Sequence, residues 1–157
     1  SSWIAKNLRK TARMTRGSLA LACILFILLS IPFVEGAGIY EDEALFAAPL
    51  YDPGTAFHRI RIFQRDYPLM LMSYLGALKT WLYAGIFALF PPSVWSLRLP
   101  VVLFGTASVF LFFHVTNSLA GRRAAVAAAF LLATDPVYLL TNVYDWGPVA
   151  VQHLCLL

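Results

Sequence analysis

Residues 17–34 read GSLALACILFILLSIPFV, a run of 18 residues that contains no charged side chain. As a helix that rises about 1.5 Å per residue, this run covers roughly 27 Å, enough to cross the hydrocarbon core of a bilayer. The basic residues before it are Lys6, Arg9, Lys10, Arg13 and Arg16, and the acidic residues after it are Glu35, Glu41, Asp42 and Glu43. The positive-inside rule therefore predicts a membrane helix with a cytoplasmic N-terminus and an extracytoplasmic acidic loop.

A cleaved signal peptide is the competing interpretation of this segment, because basic, apolar and small-residue zones follow one another in order. The apolar zone is long for such a peptide, which favours the membrane helix. Of the 157 residues, 60% are hydrophobic and 13% are charged, whereas about one quarter are charged in an average soluble domain. The sequence therefore predicts an all-α fold of polytopic transmembrane helices. The net charge of +4 does not indicate a nucleic-acid surface, since the basic residues form no single patch interleaved with aromatics.

Three further apolar segments follow the acidic loop. Residues 99–121 are uncharged and end at Arg122 and Arg123, so we expect a second membrane helix and then a cytoplasmic turn. Residues 122–140 form the third helix, which Asp135-Pro136 interrupts near its far end. Residues 146–157 begin a further helix but give only about 18 Å, too short to cross a bilayer. The chain is therefore expected to be part of a longer polypeptide.

Residues 69–90 allow two interpretations. The segment is long enough to cross the membrane, but Lys79 lies at its middle, where a charge costs a few kcal/mol. Polar or small residues recur at helical spacing along one stripe, namely Ser73, Gly76, Lys79, Thr80 and Tyr83. A helix lying on the outer interface keeps Arg122 and Arg123 in the cytoplasm, which favours an interfacial helix over a spanning one. Only that arrangement brings the carboxylates at 41–43 and Asp145 to one face of the membrane.

The loop at 35–98 is too long for a simple connector, which points to a functional role. The three carboxylates at 41–43 form either a solvated cluster or a general base or metal site at the membrane surface. Arg59, Arg61 and Arg65 suit bidentate contacts to a phosphate, with lipid headgroups as the simpler alternative. Lys79 either binds an anion such as a lipid-linked phosphate or extends to the headgroups. Asp145 either caps the helix that follows it or contributes to the site.

Motifs for metal and nucleotide sites are missing from the sequence. It contains no HExxH, cysteine cluster, Walker A or GxGxxG motif. The histidines at 114 and 153 lie in apolar segments without ligand spacing, and Cys23 and Cys155 do not indicate a disulfide framework. We therefore predict no cofactor, while a requirement for a divalent metal ion stays open.

Several short motifs follow one another in an order that resembles a known family. They are Asp42-Glu43-Ala44, Tyr67-Pro68-Leu69, Ser96-Leu97-Arg98-Leu99-Pro100, Gly121-Arg122-Arg123, Ala133-Thr134-Asp135-Pro136 and the segment around Asp145. Together they resemble the N-terminal part of the C-type membrane glycosyltransferases. Within these, the chain is most similar to the bacterial enzymes related to protein O-mannosyltransferases and to the aminoarabinose transferases of lipid A. The resemblance runs from about residue 19 to the last residue.

The resemblance implies a polyprenyl-phosphate sugar donor, contact with membrane lipids and an inverting reaction on the extracytoplasmic face of the cell membrane. Asp42 corresponds to the general base, with Glu43 as its neighbour, and Asp145 matches a second acidic position of the family. Many relatives carry Lys-Pro-Pro, whose lysine contacts the donor phosphate, where this chain has Asp66-Tyr67-Pro68. Arg61, Arg65 or Lys79 would have to replace that lysine.

Two alternatives belong to other classes of protein. The first is a truncated, non-catalytic accessory helical subunit that packs against other membrane subunits in a larger complex. The second is a transporter, which is disfavoured because no internal repeat is visible in the sequence.

Overall fold

The computed structural model describes residues 2–36, 38–144, 146 and 148–157, with side chains from residue 16 onward. The fold is 71% helical. The helices are α1 (Ser2–Val34), α2 (Glu41–Ala47), α3 (Leu78–Leu89), α4 (Val94–Thr134), α5 (Pro136–Thr141) and α6 (Val149–Leu156). Two 3-10 turns, Ala48–Leu50 and Pro53–Thr55, precede the strands β1 (His58–Ile62), β2 (Arg65–Met72) and β3 (Leu75–Gly76).

Helix α1 buries one face against the rest of the fold and leaves an apolar face outside. Ala22, Phe26 and Ser30, spaced four residues apart, are fully buried, as expected for one stripe of a helix. Leu21 and Leu28 on other faces are 57% and 60% exposed. A helix that is apolar on its outer face as well as its inner face is typical of a membrane environment.

Helix α4 is two helical segments joined by a sharp turn at Gly121. This glycine has φ 79° and ψ 171°, a conformation that essentially only glycine adopts without strain. The chain folds back along the first segment, since the hydroxyl of Tyr138, in α5 directly after the second segment, donates to the carbonyl of Gly105 at 2.7 Å although 33 residues separate them. The break falls where the sequence predicts a turn between two membrane helices.

Small residues allow the three long helical segments to approach closely. A methyl group on Gly105 would lie 2.8 Å from the Phe26 ring and 2.9 Å from Cβ of Asn142. Ala125, Ala129 and Ala133 form a buried stripe at intervals of four residues on the second segment of α4. Such stripes are typical of helices packed within membranes. Among the described residues, two helices are long and apolar enough to cross a membrane, Arg16–Val34 and Val94–Thr134.

Residues 58–76 form an antiparallel sheet in the order β1-β2-β3. Strands β1 and β2 are joined by a two-residue turn at Phe63 and Gln64, which have φ of 47° and 61°. Two consecutive residues with positive φ are typical of tight hairpin turns. The sheet is the part of the fold that departs from the all-α expectation.

The predicted helix over residues 69–90 is shorter in the structure. Residues 69–72 continue β2, which pairs with strands on both sides, and the helix begins only at Leu78. A short apolar run suits a buried strand as well as a helix, and here strand pairing decides between them. At 12 residues, or about 18 Å, α3 is too short to cross a bilayer by itself.

The predicted helix over 122–140 is divided into two helices in the structure. The first part ends at Thr134, and Pro136 starts α5. A carboxylate oxygen of Asp135 accepts a hydrogen bond from the backbone N–H of Tyr138 at 2.7 Å. Asp135 therefore caps α5, which is a common role for aspartate before a helix.

A second core holds the loop at 38–93 on one end of the helical bundle. Its buried members come from α2, β2, α3 and the first turn of α4, and they are Phe46, Leu71, Ala77, Tyr83 and Leu97. The hydroxyl of Tyr83 donates to the carbonyl of Leu97 at 3.0 Å. We call this part of the molecule, residues 38–93, the cap.

Candidate functional site

A buried ion pair lies where the cap meets the bundle. Arg98, in the second turn of α4, contacts Glu43 of α2 through two parallel bonds, Nε to Oε1 at 2.6 Å and Nη2 to Oε2 at 2.8 Å. Both side chains have no exposed surface. This two-point geometry is the one in which a guanidinium and a carboxylate interact most strongly.

The same guanidinium also binds the end of α1. Its Nη1 donates to the carbonyl of Val34 at 2.6 Å, and its Nη2 donates to the carbonyl of Gly38 at 2.7 Å. The backbone N–H of Tyr40 donates to Oε2 of Glu43 at 2.9 Å. A buried ion pair is stable only when such additional bonds satisfy its remaining donors and acceptors. Arg98 thus joins α1, α2 and α4 at a single point.

Aromatic rings cover this ion pair. The guanidinium carbon of Arg98 lies 4.9 Å from the centre of the Tyr144 ring, and that ring contacts Tyr40 edge-on with 5.3 Å between centres. Asp145, which the sequence predicts to be a site residue, lies outside the described residues.

The adjacent carboxylates of α2 have different environments. Glu43 is buried and bound by Arg98 and Tyr40, whereas Asp42 is exposed in the first turn of the helix. The buried carboxylate can hold α2 in place, and the exposed one is accessible to a substrate. An exposed carboxylate on a fixed helix has the accessibility that a general base requires.

The three predicted phosphate-binding cations lie in two different places. Lys79 is only 6% exposed and its Nζ lies 4.2 Å from the centre of the Phe46 ring in the core of the cap. Arg61 and Arg65 are exposed on the β1–β2 hairpin, and Nε of Arg61 contacts the Asp66 carboxylate at 3.1 Å. Arg61 and Arg65 therefore lie on the same hairpin, although the register places their side chains on opposite faces of it, and Lys79 lies apart from both in the core of the cap.

An apolar groove of about 520 Å³ lies between the C-terminal end of α3 and the start of α4. Its walls are mainly hydrophobic and include Ile86, Phe90, Trp95, Leu99, Leu103 and Phe104. The volume falls within the range of about 300–1,000 Å³ that is usual for small-molecule sites. Its chemistry suits a hydrocarbon chain. In the part of the chain that the structure describes, no group of three or more histidine, cysteine or acidic residues is arranged to hold a metal ion.

Arg98 was predicted from the sequence only as part of a motif, with no role of its own. The available signal was a charge at the start of a long apolar helix, since such a charge needs a partner within the fold. Glu43 lies 55 residues earlier in the chain, so one sequence by itself does not identify that partner.

Comparison with known proteins gives one match. The family model described as dolichyl-phosphate-mannose-protein mannosyltransferase matches residues 76–157, which include α3, α4, α5 and α6. No curated protein and no solved structure matches the chain. The matched residues include Arg98 but not α2, which carries Glu43 and Asp42.

Proposed function

Because the chain belongs to the dolichyl-phosphate-mannose-protein mannosyltransferase family, we propose that it acts in sugar transfer from a polyprenyl-phosphate donor to an acceptor hydroxyl. In this proposal, Asp42 is the general base and the reaction takes place on the extracytoplasmic face of the cell membrane. The observation that carries the proposal is the difference between two adjacent carboxylates of α2: Glu43 is held by Arg98, whereas its neighbour Asp42 is exposed.

The proposed reaction is a single displacement at the anomeric carbon. Asp42 takes the proton of the acceptor hydroxyl while its oxygen forms a bond to the anomeric carbon. The bond between that carbon and the phosphate oxygen breaks on the opposite side, so the configuration inverts and polyprenyl phosphate leaves. The contacts of Arg98 with α1, α2 and α4 support this role for Asp42, since a base must be held at a fixed distance from its substrate.

Two other features support a lipid-linked donor. The apolar groove between α3 and α4 offers a surface for the hydrocarbon chain of the donor. Arg65 and Arg61, on the exposed hairpin, have side chains suited to the donor phosphate. Lys79 is a weaker candidate, because its ammonium group lies against Phe46 in the core of the cap.

The proposed orientation follows from the charges at the two ends of the bundle. At one end, Ser18 of α1 lines a common surface with Gly121, Arg122 and Arg123. At the other end, Nε1 of Trp95 donates to Glu35 at 2.7 Å, beside the cap. The basic end is assigned to the cytoplasm and the cap to the extracytoplasmic side.

The test is the variant Asp42→Asn, which keeps the shape of the side chain and removes its basicity. Membranes containing the protein are supplied with polyprenyl phosphate that carries labelled mannose, and the loss of label from the lipid fraction is measured. We expect a fall in the transfer rate of about 100-fold or more, the usual contribution of a general base.

The matched control is Asp52→Asn, which changes an exposed carboxylate of the same loop that caps the second 3-10 turn. This variant is expected to retain the wild-type rate at an equal protein level. Full activity of Asp42→Asn would show that Asp42 is not the base.

A further inference from the structure

A second groove, of about 490 Å³, lies between α1 and the first segment of α4 at the basic end of the bundle. Its lining includes residues of both helices, namely Arg16, Leu19, Ala20, Phe110, Phe113 and His114. It shares none of these residues with the apolar groove beside α3, which lies near the other end. We call it the basic-end groove.

Two polar side chains of this groove lie at the same level of the bundle. Phe26 of α1 lies opposite Gly105 of α4, since a methyl group on that glycine would meet the Phe26 ring. Arg16 precedes Phe26 by ten residues and His114 follows Gly105 by nine, so in antiparallel helices both lie about 14–15 Å from this contact. Because Arg16 directly precedes the uncharged run at 17–34, this level is the edge of the apolar part of the bundle.

Both polar side chains are accessible from outside the bundle. Arg16 and His114 are exposed. The imidazole of His114 contacts the rings of Phe110 and Phe113, with 4.6 Å and 5.5 Å between centres, and these contacts hold it beside the groove. An ionisable side chain on an apolar membrane helix is costly, and such residues usually have a function.

The helices at this end of the bundle carry positive charge without an acidic counterpart. Helix α1 contains five basic residues and no aspartate or glutamate, and α4 contains no aspartate or glutamate either. Arg122 and Arg123 lie at the same end. All eight acidic residues of the chain lie outside these two helices. The headgroups of anionic lipids in the adjacent leaflet can supply the missing negative charge.

We propose that the basic-end groove binds one anionic phospholipid, with its phosphate at Arg16 and His114. A guanidinium can make two parallel bonds to a phosphate, and the imidazole offers an N–H donor. Part of one acyl chain lies against Leu19 and Phe110, where it is removed from water. The described lining contains no carboxylate to bind the quaternary ammonium of a zwitterionic lipid, so the groove favours a lipid whose net charge is negative.

A neighbouring surface provides an internal comparison. Ser18 and Gly121 line it together with Arg122 and Arg123, and its described lining contains no aromatic ring. The surface can attract anionic headgroups, but an acyl chain buries less apolar area there than in the basic-end groove. Arg123 therefore reports diffuse attraction by the basic end, whereas Arg16 reports the groove.

The test measures binding of phospholipids to the full chain in detergent by native mass spectrometry. The anionic probe is phosphatidylglycerol, and the zwitterionic probe is phosphatidylcholine with the same acyl chains. For Arg16→Gln, we expect the Kd of the first phosphatidylglycerol to rise about fivefold, the contribution of one cation near a membrane surface. His114→Leu is expected to raise this Kd as well. The matched control Arg123→Gln removes the same charge at the same end and is expected to keep a Kd close to that of the wild type.

A second variant tests the groove separately from its charge. Ala20 is exposed, so Ala20→Phe places a ring in the space of the acyl chain without moving the core. This variant keeps every basic residue and is expected to raise the Kd for phosphatidylglycerol. Its matched control is Leu28→Phe, at a position of α1 that is 60% exposed and outside the groove, and it is expected to bind like the wild type.

The outcomes separate a specific site from general attraction. Tighter binding of phosphatidylglycerol than of phosphatidylcholine, weakened in both Arg16→Gln and Ala20→Phe, supports the site. Equal binding of the two lipids by the wild type, equal effects of Arg16→Gln and Arg123→Gln, or unchanged binding in Ala20→Phe overturns it. The measurement uses no sugar donor, so its failure leaves the proposed transfer reaction and the Asp42→Asn test unaffected.

Discussion

Replacement of Arg98 by methionine is expected to destabilise the fold strongly. It removes two bonds to Glu43 and the bonds to the carbonyls of Val34 and Gly38, and it leaves a buried carboxylate without its counter-charge. Loss of one partner from a buried ion pair costs about 3–5 kcal/mol. For a chain of this size, each kcal/mol lowers Tm by about 2–4 °C, so the expected loss is roughly 6–20 °C.

The assay is thermal unfolding of the purified protein in detergent, followed by tryptophan fluorescence. The matched control is Arg61→Met, which breaks an ion pair whose arginine side chain is 72% exposed and is expected to cost less than about 1 kcal/mol. Adding Glu43→Leu to Arg98→Met is expected to restore part of the loss, because the unpaired carboxylate is removed. A loss in Arg98→Met no larger than in Arg61→Met would refute the idea that this ion pair holds the cap on the bundle.

Two further stability effects follow from the backbone. Gly105→Ala is expected to lower the free energy of unfolding by about 1–3 kcal/mol, because the added methyl group would lie within 3 Å of Phe26. The control Gly85→Ala, in a helix with open space around it, is expected to be neutral or stabilising by up to about 1 kcal/mol. Equal Tm values for the two variants would contradict the close packing at Gly105. The double variant Phe63→Asn with Gln64→Gly is expected to raise the free energy of unfolding by about 1–2 kcal/mol, because both residues have positive φ and Phe63 is 96% exposed. A lower Tm would show that the Phe63 ring makes a stabilising contact.

The helical bundle could be predicted well from the sequence, because its signals are local. The uncharged run at 17–34 lies within α1, and Gly121 before two arginines coincides with the turn in α4. A long apolar run, or a glycine next to charged residues, can be recognised without information about distant residues. The positions of the two longest helices therefore follow from composition and spacing.

The cap could not be predicted in the same way. The hairpin turn at Phe63 and Gln64 lacks the Asn-Gly or Asp-Gly pair that usually marks such turns, so the sheet gave no strong local signal. The helical stripe assigned to residues 69–90 was wrong at Ser73 and Gly76, which precede the helix. Its later members, Lys79 and Thr80, are buried within the cap.

The candidate site was predicted only in part. The sequence identified the carboxylates at 41–43, but it predicted neither the short helix α2 that carries them nor the different environments of Glu43 and Asp42. That distinction depends on Arg98, which comes from a distant part of the chain. The roles of Asp42, Asp145 and the three cations stay predictions, and the Asp42→Asn variant tests the first of them.

The contacts of Arg98 also have a consequence for biosynthesis. Glu43 leaves the ribosome 55 residues before Arg98, an interval of about 3–11 s at the usual rates of translation. During that time the carboxylate lacks the guanidinium of Arg98, and the end of α1 at Val34 lacks the donor that later binds its carbonyl. The cap therefore closes only after the start of α4 has been synthesised, and a ribosome that stalls before this point leaves a nascent chain whose acidic segment is exposed to proteases.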